Sequence, residues 1–172
     1  KISSDKENVV ANDYKYPEDW QPNAGGDKSR FKYNIDAIKI LKSVEAAQRN
    51  ATFEEQNAMS LYVGWGGLAN AFDSRKEQWK NEYDQLKTLL GEDEYNQART
   101  TVNDAFYTSP SIIKAIYKAV IQMGFRGGNI LEPSMGIGNF YSAIPEEIEK
   151  NSNLYGVEID DISGRIAKLL HP

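Results

Sequence analysis

The chain has 172 residues and a net charge of −5, with 25 acids against 20 bases, a poor footprint for a protein that grips nucleic acid by its phosphates alone. The absence of cysteine excludes a disulfide framework and a thiolate metal site, and a single histidine, His171, argues against a histidine-based zinc or triad site. No apolar run approaches the roughly eighteen residues of a membrane span, and the polar start is unlike a signal peptide, so no membrane partner is expected.

Residues 1–27 hold few apolar side chains and include Pro17, Pro22 and Gly25-Gly26, so they read as a flexible arm or linker. From 28 to 103 the signals are helical, and this stretch is expected to form a helical subdomain. Phe31, Ile35, Ile38 and Leu41 mark the buried face of a first helix. Lys28, Arg30, Lys32, Lys39 and Lys42 lie on it too, as a solvated face or a DNA patch. Thr52 with Glu55 forms a capping box for a second helix ending before Gly64. Gly64-Trp65-Gly66-Gly67 is too glycine-rich for a helix or strand, and its indole either plugs the domain or stacks on a base. Trp79, Tyr83, Leu86 and Leu90 repeat at helical spacing until Gly91, and a short helix over about 92–101 buries Tyr95 and Ala98.

Residues 104–172 read differently, as the start of an α/β domain. Ser109 followed by Pro110 begins a helix whose apolar stripe runs through Ile112, Ile113, Ile116, Tyr117, Val120 and Ile121 until Gly124 closes it. Ile130-Leu131 is too short and too closely flanked by glycine and proline to be helical, so it is a brief buried strand with Glu132 at its carboxyl end. Gly136 and Gly138 lack the Cβ atoms that would hold a ligand off the backbone, and Phe140, Tyr141 and Ile144 start a helix that covers the sheet. A second strand over 154–157 leads to Glu158, twenty positions after Gly138, the separation at which a second-strand acid reaches a ribose. The pattern is a nucleoside half-site, but Tyr141 stands where a dinucleotide fingerprint has its third glycine. A carboxylate beside the turn suits a ligand bearing an ammonium group, and S-adenosylmethionine carries one and no phosphate. A dinucleotide site for NAD or FAD and a non-catalytic helical interaction module remain as alternatives.

Three segments carry a family resemblance: Tyr107-Thr108-Ser109-Pro110, Leu131 through Phe140, and Gly156-Val157-Glu158-Ile159-Asp160. In that order they resemble the first motifs of amino-methylating DNA methyltransferases. Within that group they look most like the adenine-specific region at the front of the large methylase–helicase proteins of conjugative elements and phages, as do Tyr62 through Ala69 and Ile162 through Lys168. The resemblance implies a Rossmann-like fold, S-adenosylmethionine as cofactor and methyl transfer to adenine in DNA. It implies a cytoplasmic, bacterial or phage-encoded protein that meets DNA through the full-length chain. Tyr107 and Thr108 would border the methionine end, Glu132, Pro133, Ser134, Met135, Gly136 and Gly138 would form the floor, Glu158 would hold the ribose and Ile159 would pack on adenine. The catalytic Asn/Asp-Pro-Pro-aromatic loop of such enzymes is absent, since none of the six prolines follows Asn or Asp. The chain is therefore expected to be a piece of a longer protein, with only the first βαβ portion of the fold, inactive alone, without a metal, and prone to self-association along an incomplete sheet.

Overall fold

The computed structural model describes residues 10–17, 20, 22 and 25–172. The protein is a mixed α/β molecule, mostly helical, with a two-stranded parallel sheet. Helix α1 (Asp27–Ala47) buries Phe31, Ile35, Ile38, Leu41 and Val44 and ends where Gln48 turns left-handed at φ 50°. Helix α2 (Phe53–Met59) has the expected cap: the Glu55 amide donates to Thr52 Oγ1 and the Thr52 amide to the Glu55 carboxylate. Helices α3 (Lys80–Leu89) and α4 (Glu92–Thr100) follow, and Tyr95 and Ala98 are buried as the spacing implies.

Helix α5 (Pro110–Gln122) starts on Pro110, but Ser109 makes no cap; its hydroxyl pairs with that of Ser111 at 3.1 Å. Strand β1 (Gly128–Glu132) pairs in parallel with β2 (Ser152–Gly156), Ile130 opposite Leu154 and Glu132 opposite Gly156. Between them, the helix expected to continue through Ile144 is two single turns, α6 (Asn139–Ser142) and α7 (Glu146–Glu149), separated before Pro145. Proline has no amide to continue the ladder and disfavours helical backbone in the residue before it. Helix α8 (Asp161–Leu170) closes the chain, its first turn capped by the Asp160 carboxylate on the Ser163 amide at 2.8 Å.

Two apolar clusters hold these elements. The larger gathers α1 to α4 around Trp65 and takes in Ile162, Ile166 and Leu170 of α8, so the last helix packs on the helical part as well as following the sheet. The smaller joins Ile113 and Tyr117 of α5 to Ile144 and Ile148 under the strands. Within the stretch read as an arm, Tyr14 and Trp20 are buried. The Tyr14 amide donates to Leu170 O at 2.7 Å, and its hydroxyl to Asn57 Oδ1 at 2.8 Å. Two aromatic rings with polar tips find partners here, which composition alone does not reveal. Among the described residues, no helix is long and apolar enough to cross a membrane.

Candidate functional site

The turn from β1 to α6, the end of β2 and the segment before α5 enclose a cleft of about 540 Å³. It is lined by eight of the residues singled out in the sequence: Tyr107, Thr108, Glu132, Ser134, Met135, Gly136, Glu158 and Ile159. Pro133 and Gly138 do not line it. Pro133 is exposed in the turn, and a Cβ on Gly138 would stand 2.6 Å from the His171 ring, which covers it.

The glycines of the turn serve protein packing. A Cβ on Gly136 would lie 2.2 Å from Cε1 of Tyr107, and one on Gly156 would lie 2.0 Å from the Met135 sulfur. The Tyr107 ring is also pressed against Gly64, and its hydroxyl meets Ser163 Oγ at 2.8 Å. Burial raises the Tyr107 phenol well above its ordinary value, with Ser163 opposing, so it stays protonated.

The carboxylates differ in how they are held. Glu158 accepts from the Gly136 amide through Oε2 and from the Asp160 amide through Oε1, each at 2.7 Å, which fixes it across the two loops. Glu132 is half-buried, and desolvation lifts its carboxyl above the usual range, opposed by the Ser134 amide. Its own amide donates to the Tyr141 hydroxyl oxygen at 3.2 Å, and that hydroxyl donates to Tyr155 O at 2.6 Å. Tyr141 thus occupies the position of the missing third glycine and ties the two strand ends together. Asp104 and Asp160 add two further acids, and among the described residues no Lys, Arg or His lines the cleft. Phe106 and Ile159 hold apolar side chains out at its rim, 68% and 93% exposed.

Sequence reasoning missed Asp104, Phe106, Asn139 and Ser163 as lining residues. Asp104 and Phe106 sit within three residues upstream of Tyr107, where adjacency is the available signal; Asn139 and Ser163 lie inside the resemblance segments Leu131 through Phe140 and Ile162 through Lys168, but no role attaches to either there. The indole of Trp65 is fully buried among Phe31, Tyr62 and Phe72, which makes it a plug. Four of the five cations proposed as a basic stretch are paired within the protein: Arg30 with Asp27, Lys28 with Glu82, Lys32 with Asp36 and Lys42 with Glu94. His171 Nε2 lies 3.1 Å from Ser142 Oγ and Nδ1 lies 3.8 Å from Asp13, the order of a catalytic triad, but Ser142 is 3% exposed and the array is a packing contact. No group of three or more potential metal ligands occurs among the described residues.

With this geometry in hand, the chain is 26% identical over 147 residues to Defense against restriction protein B of Escherichia phage P1, a match that takes in 85% of the chain. The chain spans about 5% of that protein's length. No protein-family model matches the chain, and no solved structure does so with significance. The relative is named for defence against restriction and not for methyl transfer, so the assignment to the DNA methyltransferases, with its methylase–helicase and DNA-methylation corollaries, does not stand. The physical source of the misassignment lies in the motif glycines. A glycine kept free of Cβ by a neighbouring tyrosine, histidine or methionine looks, in sequence, like one kept free for a ligand.

Proposed function

We propose that this chain is a ligand-binding part of a larger protein that protects DNA against restriction, and that its cleft takes a positively charged nucleoside, with S-adenosylmethionine as the first candidate. In this reading the two parallel strands and their connecting turns are the beginning of a Rossmann-like arrangement. The proposal is one of binding alone.

The observation that carries it is the sign of the cleft: four carboxylates, Asp104, Glu132, Glu158 and Asp160, and no cationic side chain among the described residues. A polyphosphate or dinucleotide brought there would meet like charge with no Lys or Arg to neutralise it, which counts against NAD, FAD and ATP. A sulfonium or ammonium group gains instead. Beside Glu132, whose ionised form is disfavoured by burial, a cation restores the charged carboxylate and is drawn in with it. The exposed Phe106 and Ile159 at the rim supply apolar faces for a purine. Similarity to a phage protein named for defence against restriction supports the wider setting, in which contact with DNA belongs to the longer protein.

Calorimetric titration tests this reading. S-adenosylmethionine should bind, its neutral-sulfur product S-adenosylhomocysteine should bind more weakly, and NAD and ATP should give no heat. Tight binding of NAD or ATP with none of S-adenosylmethionine would overturn the assignment. Failure of all four would favour a module that works through protein contacts.

A further inference from the structure

Asn139 is the first residue of α6, 6% exposed, and it lines the acidic cleft. Its side-chain oxygen is already engaged: Oδ1 accepts the hydroxyl of Tyr16, which reaches it from the segment 12–16. That tyrosine is itself fixed, stacked on Trp20 with ring centroids 3.5 Å apart, its amide donating to Ser142 O at 3.2 Å. A carboxamide whose oxygen is pinned as an acceptor must offer its NH₂ group to the remaining directions. No residue among those described takes the Asn139 Nδ2 donors. Every charged side chain described on the cleft wall is a carboxylate, so this amide, beside the hydroxyls of Thr108 and Ser134, is a neutral donor for the part of a ligand that bears negative charge.

Resting on the ligand reading above, we infer that Asn139 Nδ2 forms the carboxylate subsite of the cleft, and that Tyr16 is a positioning residue that sets the orientation of its amide. The ligand class narrows accordingly: the cleft takes a nucleoside carrying an amino-acid zwitterion, its cation against the carboxylates and its carboxylate on Asn139. Tyr16 acts only through Asn139, because it does not line the cleft itself. An amide turned the other way would present its oxygen to the ligand carboxylate, and repulsion would replace the bond.

The experiment compares two probes, S-adenosylmethionine and decarboxylated S-adenosylmethionine, against the parent, Asn139→Ala, Asn139→Asp and Tyr16→Phe. Asn139→Ala should weaken S-adenosylmethionine roughly tenfold or more, the effect of losing a hydrogen bond to a charged group, and leave the decarboxylated probe within about twofold. Asn139→Asp should weaken S-adenosylmethionine further and favour the decarboxylated cation. Tyr16→Phe should move the ratio of the two affinities in the same direction as Asn139→Ala, by less, and should add little when combined with it. A variant that merely loosened the fold would shift both probes together, so a ratio unchanged in Asn139→Ala, in a protein that binds both probes, overturns the subsite and leaves the ligand reading intact. An unchanged ratio in Tyr16→Phe alone overturns the positioning role. If the parent binds neither probe, the ligand reading fails and the subsite falls with it.

Discussion

Gly64 and Gly136 face each other across the ring of Tyr107: a Cβ on the first would lie 2.7 Å from Cε2, and one on the second 2.2 Å from Cε1. Both glycines also have left-handed backbone, φ +68° and +56°. One aromatic ring thus pins the turn of the helical part to the loop after β1, and its hydroxyl adds α8 through Ser163. Gly136→Ala should destabilise the protein by roughly 2–4 kcal/mol, from overpacking and left-handed strain together. Part of that loss should disappear in a Tyr107→Ala background, where the overlap is gone and the strain remains. Urea unfolding of the two single variants and the double variant gives the coupling, and strict additivity would show that the ring and the glycine do not compete for one space.

Arg165 has a comparable role for the helices. Its guanidinium donates to both oxygens of Glu45 on α1, at 2.8 and 2.5 Å, to Glu94 on α4 and to Asp161 on its own helix, each at 2.8 Å. The side chain is a quarter exposed, so solvent screens part of this energy. Arg165→Gln should lower stability by about 1–3 kcal/mol, the range for hydrogen bonds between charged groups, and added salt should narrow the difference from the parent. Equal denaturation midpoints at low salt would show that the four bonds contribute nothing net.

Much of this architecture is legible where the cause is local. Thr52 and Glu55 are three residues apart and make their cap as written; Pro110, Gly91 and the two short strands likewise act through neighbours in sequence. The cleft is legible because Glu132 ends one of two parallel strands whose carboxyl ends lie side by side, and Gly136 and Glu158 stand just beyond those ends. What escaped depends on contacts between residues far apart in the chain. Nothing near Tyr14 says that it lies beneath Leu170, and nothing near Arg165 says that Glu45 awaits it. The glycine motif misled for the same reason, since it records that space is needed without recording what fills it.

Acid sensitivity follows from Glu55. The Arg49 guanidinium donates to both of its oxygens at 2.6 Å and, with the Thr52 amide, holds its carboxyl below the ordinary glutamate value. A carboxyl depressed in the folded state contributes stability above its unfolded value, and that contribution is lost as pH falls through the folded value. Glu55→Gln should therefore be destabilising near neutral pH. The gap to the parent should shrink as pH drops below about 4.5, and denaturation curves at a series of pH values measure it. A gap that widened on acidification would contradict the pairing.

Glu132 has the opposite sign. Burial raises its carboxyl, so it takes up a proton at higher pH than an exposed glutamate does. A proton and a cationic ligand compete for the same charge. Affinity for S-adenosylmethionine should fall on acidification, beginning above the ordinary glutamate range, and Glu132→Gln should weaken binding at neutral pH and flatten the profile. Titrations of parent and variant across pH settle this, and a parallel decline in both would move the pH dependence to another group.

The outer flank of the sheet sets up the last expectation. Among the described residues strand β1 pairs only with β2, and a groove of about 690 Å³ runs along it beneath α5, lined by Ile116, Val120, Met123, Phe125, Ile130 and Leu131. Leu131 is 61% exposed and Met123 86%, so apolar side chains stand beside a row of unpaired backbone amides and carbonyls. An open edge next to an apolar trough is a template for another strand, since pairing satisfies the backbone and covers the trough at once. We expect this chain to self-associate as its concentration rises, and Leu131→Lys combined with Met123→Glu to suppress that association, because charge at both places penalises burial without touching the core clusters. Light scattering across a concentration series checks it: an unchanging monomer mass for the parent would mean that the edge is protected in solution, and equal association of parent and variant would place the contact elsewhere.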